Sequence, residues 1–303
     1  MTAQRHPMDG HGVVLAIGAA LGFSAKAILV KLAYAIAPVE AVTLVTLRMA
    51  FALPVFAWVG LRETRGAEPL SSRDWAAMVT LGILGYYGAS MLDFVGLKYV
   101  SAGLERLILF TYPALTVLLN ALFLGQKVGR RALGALALCY LGVAAAFAHD
   151  LSLASVAGSV VIGGAFVFGS AVTYSVYLTG SGPMIRRLGT ARFTALAMLV
   201  ATAATLTHFI ATQPLSALVL PPTIYGYALG MAALSTVAPA FALSAAIRRI
   251  GSSKASLIGT IGPILTIALG WWILDEPMSV WQLVGTALVV GGVVLVSSGR
   301  GSV

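Results

Sequence analysis

The chain has 303 residues, of which 59% are hydrophobic and only 10% charged, with a net charge of +9. A soluble domain carries about 25% charged residues, so a chain this apolar cannot cover itself in water and belongs in lipid. The excess of positive charge does not point to nucleic acid, because the basic residues form short clusters between apolar stretches, the pattern of membrane topology signals.

A membrane-crossing helix takes about 20 mostly apolar residues. Ten such stretches follow one another over 12–37, 40–60, 75–97, 101–123, 131–148, 156–180, 190–211, 223–247, 253–274 and 279–298. Residues 1–12 are short and polar, and no small-residue cleavage site follows the first apolar stretch, so that stretch is expected to remain as a span. Breaks are expected at Pro38, the Arg62–Asp74 loop, Gly125-Gln126-Lys127, His149-Asp150, Ser181-Gly182-Pro183, Pro221-Pro222, Gly251-Ser252-Ser253 and Asp275-Glu276-Pro277. None of the connections is long enough to fold alone. The expected fold class is all-α, a polytopic membrane protein of ten transmembrane helices in one membrane domain.

Two parts of the chain repeat. Residues 94–147 and 245–296 superimpose at an offset of 150, which puts Pro113 on Pro263, Leu107-Ile108 on Leu257-Ile258, Thr116 on Thr266, Leu124 on Leu274 and Gly142 on Gly292. The expected units are therefore 1–150 and 151–303. Fourteen of the nineteen lysines and arginines fall on one side of the spans and one, Lys98, on the other. The positive-inside rule then puts both termini in the cytoplasm. Five spans per unit turn the second unit upside down, so the repeat is read as inverted, around a central cavity. A duplicated, proline-interrupted apolar unit is the mark of secondary transporters, whose binding site lies where the repeats meet.

Charges inside spans are costly and mark cavities or partners. They are Lys26, Lys31, Arg48, Asp93, Glu105 and Arg106. Lys31, Asp93, Glu105 and Arg106 fall in the outer third, within snorkelling reach of the interface. Lys26 and Arg48 fall near mid-helix and are the better functional candidates, with a role for Arg48 in locking its helix to its neighbours weighted equally. Helical spacing places Glu105, Ile108, Tyr112 and Thr116 on one face and Tyr86, Ser90 and Asp93 on another. Each stripe is either a polar seam or the wall of an aqueous vestibule. The second is favoured, because proline frees a backbone carbonyl that is tolerated at membrane depth only against protein or a cavity. Pro113, Pro239 and Pro263 thus join Asp93 and Glu105 as coupling or gating candidates. The substrate-contact candidates are Lys26, Arg48, Tyr86, Tyr87, Tyr112, Phe168, Ser235 and Thr260, the tyrosines offering an apolar face with a hydroxyl. Trp58, Trp75, Trp271, Trp272 and Trp281 near helix ends are read as interfacial anchors. The 33 glycines, many at small-xxx-small spacing, are read mainly as close helix contacts.

The sequence contains no phosphate-binding loop, no paired metal-ligand spacing among its four histidines and no nucleophile elbow. No catalytic residue, cofactor or metal is expected, and the lone Cys139 excludes a disulfide framework.

Several patches together resemble the EamA-type proteins of the drug/metabolite transporter superfamily. They are Gly22-Phe23-Ser24-Ala25-Lys26, Leu47-Arg48-Met49-Ala50, Gly96-Leu97-Lys98-Tyr99-Val100-Ser101-Ala102, Tyr112-Pro113 with its copy Gly262-Pro263, and Leu274-Asp275-Glu276-Pro277. The resemblance implies a basket of two inverted halves with a cavity lined by spans 1, 3, 4, 6, 8 and 9. It also implies alternating-access export of amino acids or related metabolites, as by aromatic amino acid exporters, across the bacterial inner membrane. Spans 5 and 10 are then peripheral or at a dimer contact, in a monomer or weak homodimer whose partners are its small-molecule substrate and the bilayer. One departure is that Gly125-Gln126-Lys127 stands where the second copy has the acidic turn. The competing readings are an exporter of lipophilic cations, which a buried acid facing aromatics would favour, and a membrane-embedded enzyme or scaffold.

Overall fold

The computed structural model describes residues 10–124, 130–153, 157–250, 258–259 and 261–297. The helices are α1 (Gly10–Ile36), α2 (Ala41–Thr64), α3 (Ser72–Gly82), α4 (Ala89–Gly96), α5 (Ala102–Leu109), α6 (Tyr112–Leu124), α7 (Arg130–Leu153) and α8 (Ala157–Leu188). They continue as α9 (Thr190–Thr212), α10 (Pro222–Ala232), α11 (Ala238–Ile250), α12 (Gly262–Leu274) and α13 (Val280–Ser297). Among the described residues eight helical stretches are long and apolar enough to cross a membrane, with α12 and α13 as shorter apolar helices. No strand is found among those residues.

Three expected helix ends are displaced. α8 runs through Ser181-Gly182-Pro183 and stops only at Gly189, whose φ of 80° suits glycine and whose N–H bonds back to the Ile185 carbonyl at 2.9 Å. Packing outweighs the proline here. Gly180 lies against Leu81, Met184 is buried beside Tyr177 and Phe193, and the Ser181 hydroxyl donates to the Leu178 carbonyl. α7 likewise continues past His149-Asp150 to Leu153. The Asp150 carboxylate accepts from Ser101 Oγ and Gln282 Nε2, so a polar pair inside the last turn is satisfied without ending the helix. The Arg62–Asp74 loop shrinks because α2 extends through Arg62 and α3 begins at Ser72, where Ser71 and Asp74 form a reciprocal capping box.

Two π-helical turns had no expectation in the sequence. Ile83–Gly88 lies between α3 and α4, and Ala233–Val237 between α10 and α11. Their first residues are 150 apart. In the second, Thr236 Oγ1 donates to the Met231 carbonyl at 3.0 Å, filling an acceptor that the wider turn leaves over. Expected as a proline break, Pro239 instead sits inside α11, just after this turn.

The packing pairs equivalent helices crosswise. α1 packs on α11 and α12, while α8, its equivalent by the 150-residue offset, packs on α4 and α6. α2 packs on its own equivalent α9, and α7 on its equivalent α13. Small residues bring α7 and α13 together. A Cβ on Gly142 would lie 2.5 Å from the Gly285 carbonyl, and one on Gly292 would lie 2.7 Å from that of Ala135. These two contacts exchange under the offset. Between them the buried Cys139 Sγ meets the carbonyl of Val289, its own equivalent, at 3.7 Å.

Close approach is tightest where Gly22 of α1 meets the second π-turn. Any Cβ there would overlap the Leu234 carbonyl and the Pro239 ring. Gly22→Ala is expected to force α1 away from α10 and α11 and to cost about 1–3 kcal/mol, the usual range for overpacking. Thermal unfolding of the detergent-solubilised protein measures this. An unchanged midpoint would show that α1 has room to shift.

Candidate functional site

The polar centre of the bundle starts from α1. Lys26, one of two lysines on a largely apolar helix, reaches Asp93 of α4 at 2.6 Å and Glu105 of α5 at 3.2 Å. Asp93 is 2% exposed and Glu105 fully buried. The second oxygen of each carboxylate is buried with no hydrogen-bond partner among the described residues. One cation thus stands between two carboxylates, with the Arg106 cation next in sequence to Glu105.

A second ion layer lies one and a half turns further along α1. Lys31 bonds Glu276 at 3.0 Å and donates to the Val100 carbonyl at 2.8 Å. Glu276 in turn accepts the Ala102 N–H, so its carboxylate caps the start of α5. Ser101 caps the same turn through the Leu104 N–H, and Asp150 and Gln282 reach Ser101. Lys98 and Glu40 pair nearby at 2.9 Å. This end of the bundle, carrying 37–40, 97–101 and 275–279, is tied together by ion pairs. At the other end Arg187 pairs with Asp74 at 2.6 Å and Arg192 donates to the Glu68 carbonyl.

Both proline breaks are observed, and each is held by the other half. Between α5 and α6 the chain turns at Phe110–Thr111. The Tyr112 carbonyl, one residue before Pro113, accepts from Ser175 Oγ of α8 at 3.0 Å. The carbonyl of Gly262, one residue before Pro263, accepts from Ser24 Oγ of α1 at 3.1 Å. Ser24 and Ser175 also bond their own preceding turns at Ala20 and Ala171. Two serines on equivalent helices therefore stitch the two breaks in crossed fashion.

Beside the first break lies an aromatic network. Tyr112 meets Phe110 and Tyr174, Tyr174 stacks near Tyr177, and Tyr177 meets both Phe193 and Tyr86, with ring centroids 5.1–6.0 Å apart. The Tyr177 hydroxyl donates to that of Tyr86 at 3.2 Å. Arg106 is buried with its guanidinium over Phe110 at 5.4 Å and close against Gly262.

Several candidates fall elsewhere than the sequence suggests. Sequence depth separates Lys26 from Asp93 and Glu105, yet the three form one cluster, because a lysine side chain bridges the difference. The stripe through Glu105 and Tyr112 is interrupted by the turn at 110–111, and that through Tyr86 and Asp93 by the π-turn. With both acids buried on Lys26, neither stripe lines an open vestibule in this conformation. Arg48 donates to Ser90 Oγ at 2.8 Å and covers Phe94, in the seam between α2 and α4. Tyr87 pairs with His208 of α9, apart from the tyrosine network. Phe168 is 39% exposed, on the same face of α8 as Val161. Ser235 is buried in the second π-turn, its hydroxyl without a hydrogen-bond partner among the described residues. Thr260 and the Gly125-Gln126-Lys127 turn lie outside the described residues. Ser24, Ser175, Tyr174 and Tyr177 are central and were not singled out by sequence reasoning. Their signal is the offset, which places Ser24 opposite Tyr174 and next to the position of Ser175.

Comparison with known proteins gives this geometry its setting. The sequence model of the EamA-like transporter family matches residues 10–148 and 161–298. The uncharacterized transporter YcbK of Bacillus subtilis (strain 168) is 29% identical over 302 residues, covering 95% of this chain and 92% of its own. The uncharacterized transporter YyaM of the same organism is 28% identical over 231 residues, covering 74% of each. A solved crystal structure shares the fold with a TM-score of 0.64 at 21% identity, over 94% of this chain and 95% of that one. The chain belongs to the EamA-like transporter family, and so is a multi-pass membrane transporter and not an enzyme.

Proposed function

We propose that the chain is a secondary transporter that exports amino acids or similar amphipathic metabolites across a bacterial inner membrane by alternating access. In this reading 1–150 and 151–303 are inverted five-helix repeats, ten spans in all, with both termini in the cytoplasm. The observation that carries it is the crossed stitching of the two breaks, Ser175 to Tyr112 and Ser24 to Gly262. Each half holds the irregular backbone of the other, so rocking one half against the other moves both breaks together.

The halves differ in charge. The ion pairs of Lys31, Glu276, Lys26, Asp93 and Glu105 have neutral residues at the equivalent described positions, namely Ser181, Val176 and Leu243. This supports a conformation closed at one end, with a charged lock there and a differently built closure at the other. Asp93 and Glu105, sharing one lysine, are the groups proposed to take up a coupling proton. Because Lys26 already occupies both carboxylates, a metabolite is favoured over a lipophilic cation, which needs a free acid. The protein is proposed to act as a monomer or weak homodimer.

Uptake of a labelled amino-acid panel into proteoliposomes, with and without a pH gradient, tests this. Saturable transport that accelerates with the gradient in the native protein, but not in Glu105→Gln, is expected. Transport indifferent to the gradient removes the proton role. No saturable movement of any amino acid or related metabolite overturns the proposed substrate class.

A further inference from the structure

The surroundings of Arg106 are unusual for a buried cation. It is 8% exposed, and its Nε is buried without a hydrogen-bond partner. Its guanidinium has no ion pair among the described residues, lying over the Phe110 ring instead. The neighbouring Glu105 makes its ion-pair contact with Lys26 and not with Arg106. A guanidinium presents five donors in a planar fork, and burying it unpaired is costly unless something completes it.

What completes it is indicated by what it faces. Its Nη2 reaches the first residue of α12, where a Cβ on Gly262 would lie only 2.8 Å away. α12 is 13 residues long and starts inside the bundle, so its positive end and the guanidinium converge at one break. The two breaks differ at the residue before proline, Tyr112 in one and Gly262 in the other. Glycine leaves room for the guanidinium beside one break, and tyrosine places a ring beside the other. From Phe110 the path continues to Tyr112 and Tyr174, both half-buried.

We infer that Arg106, at the start of α12, binds the carboxylate of an organic acid substrate, whose apolar or aromatic part packs on Phe110, Tyr112 and Tyr174. This rests on the transport reading and assigns the anion to Arg106, not to Lys26 or Arg48. Lys26 is neutralised by two carboxylates, and Arg48 is spent on Ser90 and Phe94.

The test uses the full chain in detergent, with an aromatic amino acid, its amide and its decarboxylated amine as probes, read by thermal shift and by equilibrium binding. The carboxylate is expected to bind best. Arg106→Gln is expected to weaken it roughly 10- to 100-fold, the effect of losing a charge-assisted contact, while leaving the amide unchanged. Arg106→Lys should restore part of the affinity, and unchanged amide binding shows that the variants are folded. If the amide or amine binds as tightly as the acid, or Arg106→Gln binds the acid as the native protein does, the inference is overturned while transport of a neutral or cationic metabolite stands. If none of the three is bound by the protein or moved by its proteoliposomes, the inference and the proposed substrate class fall together.

Discussion

Lys26→Met is expected to be the most damaging single substitution in the bundle. It removes the one cation shared by Asp93 and Glu105, which are 2% and 0% exposed, and leaves two carboxylates side by side in a medium that solvates neither. Removing one partner of a buried ion pair costs about 3–5 kcal/mol, and here one removal strands two charges. The melting midpoint in detergent should fall sharply, and more at high pH than at low, since protonation of the acids relieves the repulsion. The triple variant Lys26→Met, Asp93→Asn, Glu105→Gln should recover most of the loss, because three neutral groups replace an unbalanced cluster. A Lys26→Met protein as stable as the native one would mean that water reaches the acids, and the cluster would not be the sealed element described.

Glu276→Gln is expected to act on the balance between conformations more than on folding. The carboxylate holds Lys31 at 3.0 Å and the Ala102 N–H at 3.0 Å, tying α1 and the start of α5 to the turn after α12. A hydrogen bond to a charged group contributes about 1.5–3 kcal/mol, and 1.4 kcal/mol is tenfold in an equilibrium. The pair is partly exposed, so the lower figure applies. In a Cys139→Ser background, a cysteine at the buried Ile108 position should react with an impermeant thiol reagent about tenfold faster once Glu276 is neutral. Equal rates would show that closure at this end does not depend on the turn.

The sequence makes the spans legible because lipid imposes length and apolarity directly on the chain. It marks both breaks, since proline cannot donate within a helix. It does not mark the ends of α7 and α8, where Asp150 meets Gln282 and Gly180 meets Leu81, partners distant in the chain that override the local breakers. It gives no sign of the π-turns, because a one-residue insertion alters no hydropathy pattern. The site is harder still. Depth along a helix locates a Cα, whereas the Lys26 side chain spans several ångströms to reach Asp93. Arg106 reads as a snorkelling residue on a continuous helix, and only the turn at 110–111 and the bare backbone of Gly262 give it a place inside.

The two π-turns begin 150 residues apart and flank equivalent helices, α3 and α4 in one half, α10 and α11 in the other. Such turns arise when a single residue is added to an α-helix. On the proposed duplication, the addition at both places is one event, inherited from a half-length ancestor that paired with an upside-down copy of itself. The bulge is then common to both halves, whereas the tyrosine and glycine before the two prolines, Lys26 and the acidic turn at Glu276 differ between them. What the halves share is thus a backbone geometry, and the side chains set around it are what tell them apart.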